Sequence, residues 1–271
     1  MTASVRFEEV HFTYPSGVAA LRGVSFGVEP GERVAIVGQN GAGKTTLVRH
    51  LNGIFQPSSG RVLVGDQPTA GRSIAELARQ VGYVFQNPDE QIFASTVRAD
   101  IEFGPRNLGL PAAEITARAT AALETVGLAD QAGQHPLHLS LSERKRVALA
   151  GVLAMGTGIV VLDEPTTGQD ARGVAMIAGV VESLAAQGRT LLAISHDMDF
   201  CAEHFDRVVV MAQGRVLADG DPRTVFGESD ALRQAAVEPP QLFRLADRLG
   251  WRRRPLRAEE FVDAFEAERR E

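Results

Sequence analysis

One cysteine, one tryptophan and two tyrosines occur in 271 residues. A lone cysteine excludes an internal disulfide, and with it the stapled class of small secreted domains. Cys201 lies between Phe200 and Ala202 and is expected to be a small buried hydrophobe rather than a reactive thiol. Long apolar runs are missing too. No stretch approaches the roughly 20 residues a membrane span needs, and the opening Met-Thr-Ala-Ser-Val-Arg-Phe-Glu-Glu has no apolar core of a secretion signal. A cytoplasmic chain is expected, with any membrane role supplied by a partner. Basic residues are outnumbered, 28 Lys and Arg against 34 Asp and Glu, which argues against a nucleic-acid partner. The run Arg252-Arg253-Arg254 reads as solvated surface.

What is present is an ordinary globular balance, 44% apolar and 23% charged, without a fixed-period repeat. Strand-like runs alternate with helical ones, the pattern of an α/β fold with a mainly parallel sheet. Val5–Phe12 and Leu21–Val28 read as early strands, and Arg33–Val37, flanked by glycines, as a buried central one. A helix is expected from about Gly43 to Leu51. Further strands fall at Arg61–Val64, Val81–Phe85, Ile159–Leu162, Thr190–Ile194 and Arg207–Met211. Residues of about 87–157 carry helical patterns and read as a subdomain inserted into a core of residues 1–221. After Gly214-Arg215 and Gly220-Asp221-Pro222 the alternation stops, and 222–271 reads as a helical extension with Phe261, Val262 and Phe265 on one face.

Gly38-Gln39-Asn40-Gly41-Ala42-Gly43-Lys44-Thr45 matches the phosphate-binding loop G-x-x-x-x-G-K-[ST], set between an expected strand and helix. Its glycines let backbone N–H groups wrap phosphate oxygens, and the following helix start, through Thr46, adds partial positive charge. Lys44 is expected to reach the terminal phosphates of ATP, and the Thr45 hydroxyl to bind Mg²⁺. The apolar run Ile159–Leu162 ends in Asp163-Glu164. Asp163 is expected to hold Mg²⁺, and Glu164 to polarise the attacking water as general base. Ser140 and Glu143 make an S-x-x-E capping box at the start of another helix.

The order Gly38–Thr45, Gln86, Leu139–Glu143, Asp163-Glu164, Asp170, His196 resembles the nucleotide-binding subunit of ATP-binding cassette (ABC) transporters over about residues 4–220. The resemblance implies a P-loop NTPase core with an antiparallel β subdomain. It also implies that Tyr14 stacks on adenine, Gln86 links Mg²⁺ to the helical subdomain, Asp170 lies at a dimer interface and His196 contacts the γ-phosphate. In that family the segment Leu139-Ser140-Leu141-Ser142-Glu143 commonly reads Leu-Ser-Gly-Gly-Gln and touches ATP held by a second ATPase subunit, here through Ser140, Ser142 and Glu143. Both glycines are replaced, and Gln169 stands where leucine is common. Phe85–Phe93, with Asp100–Pro105 and the tail around Pro239-Pro240-Gln241-Leu242, is similar to ATPases of energy-coupling factor (ECF) transporters of vitamins and metal ions. That implies an integral membrane scaffold contacted near Gln86–Phe93, a substrate-binding membrane subunit, and a tail that pairs two ATPase subunits at the cytoplasmic face of the membrane.

Overall fold

The computed structural model describes residues 4–268. Its strands are β1 (Val5–Thr13), β2 (Ala19–Val28), β3 (Arg33–Val37), β4 (Ser59–Val64), β5 (Gln67–Pro68), β6 (Val81–Val84), β7 (Ile159–Asp163), β8 (Thr190–Ile194), β9 (Arg207–Ala212) and β10 (Arg215–Gly220). The main sheet runs β10-β9-β3-β8-β7-β6, and a second sheet runs β2-β1-β4-β5. Within the main sheet β9, β3, β8, β7 and β6 are parallel, with Val34 beside Leu192 and Leu162 beside Ala193; only β10 is antiparallel. The second sheet is antiparallel throughout.

The continuous apolar character of the central strands follows from burial on both faces. Val34, Ile36, Leu192, Ile194, Val209 and Met211 pack with Phe7 and Val10 of the antiparallel sheet. Their neighbours Ala35, Val37, Leu191, Ala193, Val208 and Val210 point the other way, into a second core lined by helices. The helices are α1 (Lys44–Val48), α2 (Ile74–Ala78), α3 (Val97–Asn107), α4 (Ala112–Thr125), α5 (Leu141–Met155), α6 (Ala171–Ala186), α7 (Met198–His204), α8 (Pro222–Gly227), α9 (Ser229–Gln234), α10 (Gln241–Arg248) and α11 (Ala258–Glu268). Helices α3, α4 and α5 pack on one another as one lobe, with Val97, Ile101, Ala119 and Leu123 fully buried.

Two local expectations change. Regular helix α1 ends at Val48 instead of running to Leu51; His50 N–H and Leu51 N–H bond three residues back, to the Leu47 and Val48 carbonyls, so the last turn tightens. And one strand is present beyond those expected, β10, inside the core of residues 1–221. Gln213 and Gly214, with φ of 50° and 76°, make a two-residue reversal that pairs Arg215 with Ala212 and sends β10 back along β9. The extension beyond residue 221 shares the helix-side core: Val225, Phe226, Leu232, Ala235 and Phe243 are all buried in it. On α11 the packed positions are Ala264 and, in part, Phe261, whereas Val262 and Phe265 face outward.

Candidate functional site

The C-terminal ends of the parallel strands gather the chemistry, as they do in open α/β sheets generally. β3 runs into the loop Gly38–Gly43 and then α1. Gly38 adopts φ 147°, and a Cβ there would fall 2.1 Å from the Met211 carbonyl oxygen, so no other residue fits. The Ala42 carbonyl accepts from Gly214 N–H and Gln39 N–H donates to the Ala235 carbonyl, which ties the loop to the β9–β10 turn and to the segment after α9. Lys44, 6% exposed, curls back to donate through Nζ to the carbonyls of Gly38 at 2.6 Å and Gln39 at 3.1 Å. Burial pushes its pKa down, against the pull of Glu164 and Asp163.

β7 delivers two buried carboxylates. Asp163 accepts from Thr45 Oγ1 at 3.3 Å and from the Tyr83 hydroxyl at 2.9 Å. Glu164 departs from strand geometry with φ 53°, a strained value for a side chain of its size. Its N–H still bonds the Ile194 carbonyl of β8, so the turn is held by the sheet. Glu164 Oε2 accepts from Thr167 Oγ1 at 3.1 Å; Oε1 lies 3.1 Å from His196 Nε2 and, though buried, makes no aligned hydrogen bond. Desolvation raises the pKa of both carboxyls; the His196 charge opposes this at Glu164, and the Tyr83 and Thr45 hydroxyls oppose it at Asp163. Burial, followed by the nearby Asp163, drives the Tyr83 hydroxyl far above its ordinary range, so it is a fixed donor.

Asn40, Gly41, Ala42, Gly43, Lys44, Thr45, Thr46, Gln86, Glu164 and His196 line one open cleft of about 130 Å³. Gln39 and Asp163 stand at its edge through their bonds to Lys44 and Thr45. Tyr14 is outside the cleft lining; its hydroxyl pairs with Thr46 Oγ1 at 2.7 Å, and its ring packs edge-on against Phe12 and Phe55. Ser140, Ser142 and Glu143 form a separate group at the start of α5. Ser140 Oγ and N–H both donate to Glu143 Oε2, at 2.7 and 2.8 Å, and Ser140 Oγ caps Glu143 N–H. These bonds hold the Glu143 pKa down. Asp170 caps α6 through Gly173 N–H at 2.7 Å and is exposed.

Three residues to which the sequence assigns no role of their own complete the arrangement. Tyr83 reads as one more strand residue until β6 is laid beside β7. Lys145, three residues past Ser142 on α5, donates to the carbonyls of Glu164 and Thr167 at 3.1 and 2.8 Å. Gln91 accepts from Phe85 N–H and donates to the Ala148 carbonyl, joining the segment after Gln86 to α5. Beside that segment lies an apolar groove of about 550 Å³, edged by Ile54, Ile74, Phe93 and Phe103. These four side chains are 39–64% exposed, a concentration that marks an interaction surface. Among the described residues no helix is long and apolar enough to cross a membrane.

A family model described as ABC transporter matches residues 21–167. The energy-coupling factor transporter ATP-binding protein EcfA of Methanocaldococcus jannaschii is 42% identical over 245 residues, covering 90% of this chain and 88% of that one. Among solved structures, cbiO1 of Clostridium perfringens, part of the ABC transporter complex cbiONQ, superposes with a TM-score of 0.75 at 36% identity, over 92% of this chain and 100% of that one. The ATP-binding cassette MJ0796, solved as a dimer in a post-hydrolysis state with ADP and Pi, superposes with a TM-score of 0.73 at 26% identity, over 80% of this chain and 98% of that one.

Proposed function

This chain belongs to the ABC transporter family of ATP-binding subunits, and from that premise we propose that it is the ATP-hydrolysing motor of an ECF-type importer of a vitamin or metal ion. The observation that carries the catalytic part is the meeting of Lys44, Thr45, Glu164 and His196 in one cleft below a glycine loop. ATP enters with its phosphates along Asn40–Thr46, where backbone N–H groups and the start of α1 face it. Lys44, already dehydrated, exchanges the Gly38 and Gln39 carbonyls for phosphate oxygens. Tyr14, beside Thr46, offers a ring for the adenine. Glu164 takes the proton of the attacking water: its buried Oε1 makes no aligned hydrogen bond and can accept, and desolvation, which raises its pKa, makes it a stronger base than an exposed carboxylate. Thr167 holds the other carboxylate oxygen, and His196, 3.1 Å from Oε1, faces the γ-phosphate.

The residues present fit Mg²⁺. Thr45 Oγ1, Asp163 and Gln86 are hard oxygen donors, and among the described residues no cluster of three or more His, Cys, Asp and Glu could hold a metal alone. That is the expected donor set for an ion shared with nucleotide phosphates and water. Bound there, it would neutralise charge on the transferred phosphoryl group.

Two such subunits close around two ATP molecules, each cleft facing the α5 tip of the other, with Asp170 between them. The groove beside Gln86–Phe93 receives a helix of an integral membrane scaffold, and Gln91 carries its displacement to α5. A substrate-binding membrane subunit completes the importer, which places this chain peripherally on the cytoplasmic face. Residues 222–271 are the pairing extension, through the outward Leu245, Leu249, Val262 and Phe265. Affinity purification from membranes tests the assembly. It should recover the scaffold, a second ATPase subunit, identical or paralogous, and a small substrate-binding membrane protein; a transporter lacking that small protein would reassign the chain to a conventional ABC system.

A further inference from the structure

Two of the positions where this chain departs from the family pattern, Ser142 and Gln169, bond to each other. Ser142 Oγ donates to Gln169 Oε1 at 2.7 Å, and Gln169 Nε2 donates back to the Ser142 carbonyl at 3.3 Å. Gln169 can lie across the start of α6 because Gly173 has no side chain; a Cβ there would stand 2.5 Å from Gln169 Oε1. One turn along α5, Lys145 Nζ holds the carbonyls of Thr167 and Glu164, and Thr167 Oγ1 holds Glu164 Oε2. Two adjacent sets of hydrogen bonds therefore join the start of α5 to the loop 164–169, one at Gln169 and the other reaching the carboxylate at the end of β7. The Ser142 hydroxyl is spent inside its own chain, so it is a tether and not a free donor to an incoming phosphate.

We propose that Ser142 and Gln169 are a positioning pair that locks the α5 tip to the loop carrying this chain's own Glu164, so that seating the tip on a second subunit's nucleotide sets the geometry of Glu164. The proposal rests on the ATPase reading above. It places the pair outside nucleotide binding within the chain, since neither side chain lines the cleft.

Steady-state MgATP hydrolysis by the purified assembly tests it, using wild type, Ser142→Ala, Gln169→Leu and the double variant. Alanine removes only the hydroxyl, and leucine keeps the bulk without the amide. Each single change should lower kcat about threefold to tenfold with KM for MgATP unchanged, and the double should be no worse than the worse single, because partners in one interaction lose it once. Single variants matching wild type, a double loss equal to the product of the single losses, or a rise in KM in place of the fall in kcat would each overturn the pair. Gln169→Ala, which also leaves Ser142 unanswered, substitutes if leucine prevents folding. Wild-type turnover separates the two readings: no hydrolysis by the intact assembly sinks the ATPase assignment, whereas hydrolysis with additive variants sinks the pair alone.

Discussion

Glu164 combines a left-handed backbone, deep burial and a free acceptor oxygen, and each has a measurable consequence. As general base, its loss in Glu164→Gln should cut turnover by at least about a hundredfold while MgATP still binds; unchanged turnover in the purified assembly would refute the role. The same substitution should stabilise the fold. Burial raises the folded pKa of Glu164, so the fold favours the neutral acid. That contribution is complete below the ordinary glutamate value of about 4.3 and is lost as pH rises through the folded value. At neutral pH, where the unfolded side chain is ionised, the raised folded pKa is a cost that glutamine removes. Thermal melts should show Glu164→Gln above wild type at neutral pH, the gap closing on acidification; a gap that persists at low pH would mean another cause. Lys44→Ala acts on the ground state instead and should weaken MgATP binding in calorimetry.

At the scale of elements, what was readable depended on whether a signal is contiguous. The parallel strands could be placed because each is a short apolar run between turns, buried on both faces. The phosphate loop could be placed because its eight residues are consecutive. β10 was missed because Gln213-Gly214 is a weak hairpin signal and Arg215–Gly220 mixes charge with glycine, as an edge strand can. Tyr83, Lys145 and Gln91 each act through a partner brought near only by folding, at Asp163, in the loop 164–167 and at Ala148. α5 shows the same limit: its capping box is plain in the sequence, but its tether to Gln169 is not. Replacing Ser140 with alanine should cost about 1 kcal/mol of stability, as loss of a helix cap does, readable in urea unfolding. On the groove, Phe93→Asp with Phe103→Asp should abolish recovery of the scaffold from membranes while leaving MgATP affinity intact. Retained scaffold would put the contact elsewhere.

For the whole molecule, the extension after residue 221 is anchored from within. Phe226 is 1% exposed and sits in the same core as β3, β8 and β9. Phe226→Ala should therefore destabilise the entire chain by about 3–5 kcal/mol, seen as one shifted unfolding transition. A separate early transition would make the extension an independent unit. The strand order carries one more consequence, for biosynthesis. β3 leads directly into the phosphate loop, yet its neighbours in the sheet are β8 and β9, and the loop itself leans on Gly214 and Ala235. On a ribosome, the socket for ATP is therefore made early and finished late. The Ala235 carbonyl arrives last, but until the nascent chain has grown past β8 and β9 the loop has neither of its flanking strands, and pairings of such long sequence separation form slowly. A chain broken off short of that point keeps every residue of the loop and lacks the structure that shapes it.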